Sequence, residues 1–257
     1  MSGYLAVGVG LSRALIEVAG LWKSFDGVPA VSGLNMVVNA GTIHGLFGLN
    51  GAGKTTTIKC IVGLLRPDSG EIFVAGRSVL TDTTYKSLLG YLPENPALPE
   101  YLTTEEFLVF NARLKELREG ELKRSVSEAV ELFGLGRYLD RLIYELSKGV
   151  RQRIAFAAAI INSPQILILD EPFNGLDPEA QSIAKMLMKE IAKSGGAVLV
   201  STHLLDSIER ICDRATIIHE GRELASGSLE ELRRLAGLED PTPLEDIFLN
   251  IVSRRRA

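Results

Sequence analysis

An α/β fold, with a largely parallel sheet covered on both faces, is what this sequence predicts, and three features predict it. Two runs with unbroken apolar centres, QILILD (165–170) and AVLVST (197–202), flank a helix-forming stretch from Pro178 to Lys193, as buried parallel strands flank a crossover helix. A third run, Thr42 to Phe47, leads into GLNGAGKTT (48–56) and then a helix-forming stretch, Lys54 to Leu65. Gly48, Gly53, Lys54 and Thr55 fill the G-x-x-x-x-G-K-[ST] pattern, in the strand–turn–helix setting that the pattern requires.

Composition bounds the rest. With 257 residues, 46% of them hydrophobic, the chain can bury one large core, or one core with a sizeable insertion. A formal net charge of −4 gives no support to broad electrostatic binding of nucleic acid, so no nucleic-acid partner is expected. Two cysteines, Cys60 and Cys212, lack metal-ligand spacing and read as buried packing residues in a reducing compartment. The most apolar stretch, 154–169, is broken by Asn162, Ser163, Pro164 and Gln165, too soon for a bilayer span of about 20 residues. The run 4–11 is too short and lacks the basic flank of a signal peptide.

In chain order, residues 1–13 have no clear period and read as an extension. ALIEVAG (14–20) and LNMVV (34–38) read as strands, connected through LWKSFDGVPAVSG with turn residues Gly27 and Pro29. Phe25 in that connection suits a core aromatic or a stacking platform equally well. After the phosphate loop and its helix come a turn at RPDSG (66–70), a strand EIFVAG, a short polar helix and a strand LLGYLP. Glu94 follows in PENPALPEY, where Pro93, Pro96 and Pro99 forbid regular structure.

Residues 103–160 change to a helical period. Thr103 with Glu106 makes a capping box, and Phe107, Phe110, Leu114 and Leu117 recur at three- or four-residue spacing. A second helix covers about Glu119 to Phe133, and a third, KGVRQRIAFAAAIIN, opens on Ser147 as N-cap, with Arg151 and Arg153 on a solvated face. Beyond the two apolar strands, a helix is expected over Leu204 to Arg210, then strands ATIIHEG and RELASG. The tail has a capping box at Ser228 and Glu231, a break at Pro241 and Pro243, a helix LEDIFLNIV and a basic SRRRA end.

The chemistry follows from residue types. The glycines let successive N–H groups of the loop point inward, and the helix beginning near Gly53 adds its positive end, so a polyphosphate fits there. Lys54 would reach the β- and γ-phosphates and the Thr55 hydroxyl a magnesium ion. Asp170 ends an apolar strand, as the magnesium-side aspartate of a phosphate-loop enzyme does, and Glu171, on the opposite face, is placed to orient an attacking water. No Asn-Lys-x-Asp segment reads a guanine base, so adenine is the expected one.

ILILDEP (166–172), GLDP (175–178), LSKGVRQR (146–153) and a lone His203 after VLVST follow the phosphate loop and Glu94 in an order that resembles the ATP-binding-cassette family from about Leu15 to Gly227. The resemblance implies a P-loop NTPase core with a mixed, largely parallel sheet, an N-terminal antiparallel β part and an inserted helical subdomain. Its divisions would be an extension 1–13, core 14–94, helical subdomain 95–163, core 164–227 and helical tail 228–257. It implies that Asn50, Gly51, Ala52, Gly53, Lys54, Thr55 and Thr56 wrap the phosphates of ATP while Phe25 packs on the base. It further implies that Asp170, Thr55 and Glu94 attend Mg2+, that Glu171 acts as general base and that His203 contacts the γ-phosphate. Ser147 and Gly149 would contact ATP held by a second subunit in a head-to-tail homodimer, with Asp177 at that interface.

Two departures from the family pattern stand out: the signature's usual glycine, glycine and glutamine read Lys148, Gly149 and Val150, with Ser147 and Gly149 kept, and Glu94 stands where glutamine is common. The implied activity is a magnesium-dependent ATPase that energises a separate integral membrane permease from the inner, cytoplasmic face of the membrane. YLPE, LSKG and LEDIFL favour exporters. The alternative is a soluble cassette ATPase acting on ribosomes or nucleic acid.

Overall fold

The computed structural model describes residues 13–238 and 242–254. The extension expected over 1–13 lies, apart from Arg13, outside the described residues, as do Pro241 and the last three residues of the SRRRA end.

Two sheets build the molecule. The first, in the order β2-β1-β4-β5, is antiparallel and comprises β1 (Ala14–Phe25), β2 (Val28–Asn39), β4 (Ser69–Val74) and β5 (Arg77–Ser78). The second runs β10-β9-β3-β8-β7-β6 and contains β3 (Thr42–Phe47), β6 (Leu89–Leu92), β7 (Ile166–Asp170), β8 (Ala197–Thr202), β9 (Arg214–His219) and β10 (Arg222–Ser228). Its five strands from β9 to β6 are parallel, and β10 joins antiparallel through the Glu220–Gly221 turn. The fold is thus the α/β class expected, with an antiparallel sheet beside a mixed, mostly parallel one.

Every residue of β7 and β8 is buried, so these strands carry no polar face. Alternation sends Leu167 and Leu169 into one core with α2 (Thr104–Leu114), α3 (Glu119–Leu132), α4 (Lys148–Ile160) and α5 (Pro178–Lys193). Ile166 and Ile168 face the other core, shared with α1 (Lys54–Ile61) and the antiparallel sheet. The chain ends in α6 (Leu229–Ala236) and α7 (Leu244–Arg254), whose buried Leu232, Leu244 and Ile247 join the first core. Cys60 and Cys212 are both buried thiols, pushed up to about 11 and about 12 by burial, so neither is a reactive thiolate. Among the described residues no helix is long and apolar enough to cross a membrane.

Several local expectations change. The supposed connection 21–33 is mostly strand: β1 and β2 continue to a two-residue turn at Asp26 (φ 48°) and Gly27 (φ 80°), the primed geometry that matches strand twist. α1 stops at Ile61 rather than Leu65, because Gly63 at φ 73° turns the chain out of the helix. The helix expected over 204–210 is only a 3-10 turn, Leu205–Ser207; the Thr202 hydroxyl accepts from the Leu204 N–H, and the segment is too short to propagate. The polar helix before β6 is likewise 3-10, Thr84–Leu88.

Candidate active site

Four adjacent parallel strands, β3, β8, β7 and β6, end at one edge of the sheet, with Phe47 beside Thr202, Asp170 beside Ser201 and Leu92 beside Leu169. Each strand hands its next residues to that edge: the phosphate loop from β3, His203 from β8, Glu171 from β7 and Glu94 from β6. Carboxyl ends of parallel strands are where such sheets bind ligands. The edge holds a pocket of about 330 Å3 lined by Asn50 to Thr56, Glu94, Glu171 and Ala30.

The loop fits without side chains where it must. Gly53 sits at φ 104°, and a Cβ there would lie 2.5 Å from the Ala30 carbonyl oxygen; at Gly48 a Cβ would lie 2.5 Å from the Ile218 carbonyl oxygen. The first amides of α1 have no intrahelical acceptor, so they and the helix dipole face the pocket as anion donors. Lys54 is 6% exposed; its Nζ donates to the carbonyl oxygens of Gly48 (2.8 Å) and Leu49 (3.3 Å) and lies 3.7 Å from Glu171 Oε1.

Glu171 is 4% exposed and held on several sides. Its N–H donates to the Ser201 carbonyl at 3.0 Å, Oε1 lies 2.9 Å from His203 Nδ1, and Oε2 accepts from the His203 N–H at 3.3 Å. Its φ of 49° places a non-glycine residue in the left-handed region, a strained geometry concentrated at functional sites. That twist, rather than strand alternation alone, turns Glu171 toward Lys54.

Asp170 is fully buried. Oδ1 accepts from the Ser201 hydroxyl, while Oδ2 has no partner. An orphaned carboxylate oxygen beside a phosphate loop, with the Thr55 hydroxyl and the Glu94 carboxylate on the same edge, fits a hard cation that prefers oxygen. Among the described residues no group of three or more His, Cys, Asp or Glu makes a complete metal cage. A divalent ion held at this edge would draw the rest of its oxygen shell from phosphate and water, as magnesium does. Tyr91, on the neighbouring strand, has its hydroxyl pushed up to about 12 by burial and by the Asp170 charge, so it remains protonated.

The remaining candidates are elsewhere. Phe25 does not line the phosphate pocket; it is 46% exposed at the tip of the β1–β2 hairpin, with Lys23 Nζ 5.6 Å from its ring centroid. Ser147 caps α4, its Oγ accepting from the Val150 N–H at 3.4 Å, and neither it nor Gly149 lines the pocket. Gly149 packs against the 175 loop, where a Cβ would meet the Gly175 oxygen at 3.0 Å. Asp177 caps α5 through the Ala180 N–H (2.9 Å) and binds Arg153 Nη2 at 3.0 Å. Arg153 is therefore an ion-pair partner tying α4 to α5, not the solvated residue its helix position suggested. Two contributors escaped sequence reasoning: Ser201 and Ala30. The hydroxyl next to the end of a buried strand was the one available signal, for Ser201; Ala30 carried none.

The family model for ABC transporters matches residues 31–174. The chain is 36% identical over 239 residues to the ABC-type transporter ATP-binding protein EcsA of Bacillus subtilis (strain 168), covering 93% of this chain and 96% of that one. It is 37% identical over 223 residues to the daunorubicin/doxorubicin resistance ATP-binding protein DrrA of Streptomyces peucetius, covering 86% and 68%. A solved ATP-binding subunit of an ABC transporter superposes with TM-score 0.88 at 37% identity, over 93% of this chain and 99% of that one.

Proposed function

The chain belongs to the ABC transporter family as an ATP-binding protein, and on that premise we propose that it is a magnesium-dependent ATPase that closes on ATP as a head-to-tail homodimer and drives a separate membrane permease. The observation that supports this most is the convergence of the phosphate loop, Glu94, Asp170, Glu171 and His203 on one sheet edge.

In this reading the loop amides and Lys54 bind the triphosphate, and Phe25 at the hairpin tip packs on the adenine. Binding draws Lys54 away from Glu171, which frees that carboxylate to take a proton from water as its oxygen attacks the γ-phosphorus and the bond to the β,γ-bridging oxygen breaks, ADP leaving with phosphate as the other product; His203 holds both Glu171 and the γ-phosphate. Thr55, Asp170 and Glu94 would hold magnesium, which when bound would neutralise charge on the phosphate oxygens. Ser147 and Gly149, away from the chain's own pocket, serve the ATP of the second copy through the N-terminus of α4, with Asp177 at the joint. Residues 95–163 would act as the helical subdomain and 228–257 as a helical tail of the core formed by 14–94 and 164–227. Residues 1–13 would be an extension.

The chain would work at the inner, cytoplasmic face of the membrane, and similarity to a resistance protein supports export as its direction. The test is ATP turnover by purified chain with and without magnesium, together with capture from a detergent extract. Magnesium-dependent phosphate release and co-purification of a polytopic membrane protein are expected. Retention of ribosomes or nucleic acid instead would overturn the transport role.

A further inference from the structure

Glu94 and Lys148, the two charged departures from the family pattern, are far apart in sequence, yet they line one cavity of about 320 Å3 between the 94–100 loop and the start of α4. Arg151 and Gln152 line it too. Glu94 is the one residue this cavity shares with the phosphate pocket.

The groups around it have unmet chemistry. Among the described residues, Glu94, Lys148 and Arg151 make no ion pair or side-chain hydrogen bond. Gln152 is 3% exposed, and its Nε2 is buried without an acceptor. A buried donor left unpaired carries its full desolvation cost, and two unpaired cations beside it make the cavity a seat for a carboxylate. Glu100, the other acid on the wall, lies on the far end of the loop and does not reach the phosphate pocket.

We propose that this cavity is a second seat for the Glu94 carboxylate, in which Lys148, Arg151 and the Gln152 amide hold it off the phosphate pocket. The inference rests on the nucleotide-site reading above. In the phosphate pocket without a divalent ion, Glu94 adds negative charge next to Glu171 and a triphosphate, a repulsive arrangement; on α4 it meets two cations and a donor. Lys148 and Arg151 are therefore positioning residues that act through Glu94. A glutamine at 94 could not make the charge pair.

The test measures ATP affinity in EDTA by equilibrium dialysis, for Lys148→Gly and Arg151→Gln, each with and without Glu94→Gln. With Glu94 present, either substitution should weaken metal-free ATP binding about two- to fivefold, the range of partly exposed ion pairs. With Glu94→Gln, both should have no effect. Equal losses in the two backgrounds would overturn the seat while leaving the nucleotide site standing. Loss of all ATP binding by the unmodified chain would instead count against the site itself. A second measurement then decides: Lys148→Arg, which keeps the cation, should bind metal-free ATP as the unmodified chain does, and a loss as large as that of Lys148→Gly in a chain with an unchanged melt overturns the proposal.

Discussion

Replacing Glu171 by glutamine keeps the side chain's shape and removes its charge, so it separates what the carboxylate holds from what it does. Its Oε1 lies 3.7 Å from Lys54 Nζ, with side chains 5% and 7% exposed. Two unit charges at that separation attract by about 4 kcal/mol at an effective dielectric of ~20. ATP must compete with this attraction for the lysine. Even if screening leaves a third of it, Glu171→Gln should bind ATP about tenfold more tightly, ~1.4 kcal/mol. Hydrolysis should fall about 10²–10⁴-fold, the contribution of a positioned general base, or ~3–5 kcal/mol of barrier. A glutamine oxygen can still accept from the His203 N–H, so the fold should stand, with Tm lower by only about 3–6 °C as buried Lys54 loses its ion pair. The assays are steady-state phosphate release, equilibrium ATP binding and sizing of the ATP-bound species as a dimer. Hydrolysis at the unmodified rate would refute the role given to Glu171, and unchanged ATP affinity would refute the competition for Lys54.

Gly53→Ala puts a Cβ 2.5 Å from the Ala30 oxygen at φ 104°, and should cost at least about 2 kcal/mol, visible as a Tm lower by about 5 °C, with ATP binding lost. Ser147→Ala removes only a long cap bond of 3.4 Å, so the fold should lose about 0.5–1 kcal/mol by denaturant titration, while ATP-dependent dimerisation falls far more. His44 is buried with Nε2 on the Thr216 hydroxyl and its pKa lowered to about 3 by burial, with the Arg214 charge adding. Below pH 6.5 the unfolded chain takes up the proton that the folded chain refuses, so stability should be full above pH 6.5 and fall toward pH 3, by up to about 1.4 kcal/mol per pH unit. A His44→Gln chain should show a flatter dependence of Tm on pH over that window.

The fold was legible where burial is one-sided or total. Ile166 to Asp170 and Ala197 to Thr202 have no polar face, which leaves them only a covered parallel sheet, and the capping boxes at Thr103 and Ser228 mark their helix starts in the chain itself. The hairpin was not legible over its full length, because Gly20 and Gly33, at φ 57° and 72°, interrupt the two-residue period where β1 and β2 shift register. A glycine at a bulge and a glycine in a loop look the same in sequence. The turn after His203 failed for a related reason: Leu205, Ile208 and Ile211 have helical spacing, but they serve as separate anchors into the core.

The site divides along the same line. Residues whose role depends on type and on the end of a strand, such as Lys54, Asp170 and Glu171, could be picked out from the chain because the parallel strands that carry them must end together. Residues whose position depends on a contact across the fold could not. Arg153 lies one turn beyond Lys148 and Gly149 on a helix that otherwise invites a solvated reading, yet its guanidinium ends 3.0 Å from Asp177, the cap of α5. That pair joins the two helix starts whose preceding loops carry Ser147 and Gly175, so the signature segment and the 175–178 segment are braced against each other inside one chain. A rotation of α4 relative to the sheet must then either carry Asp177 with it or break a half-exposed ion pair worth at most about 1 kcal/mol. The weaker restraint on movement is therefore the ion pair, and the stronger one is the buried packing of Ile154 and Phe156 beneath it.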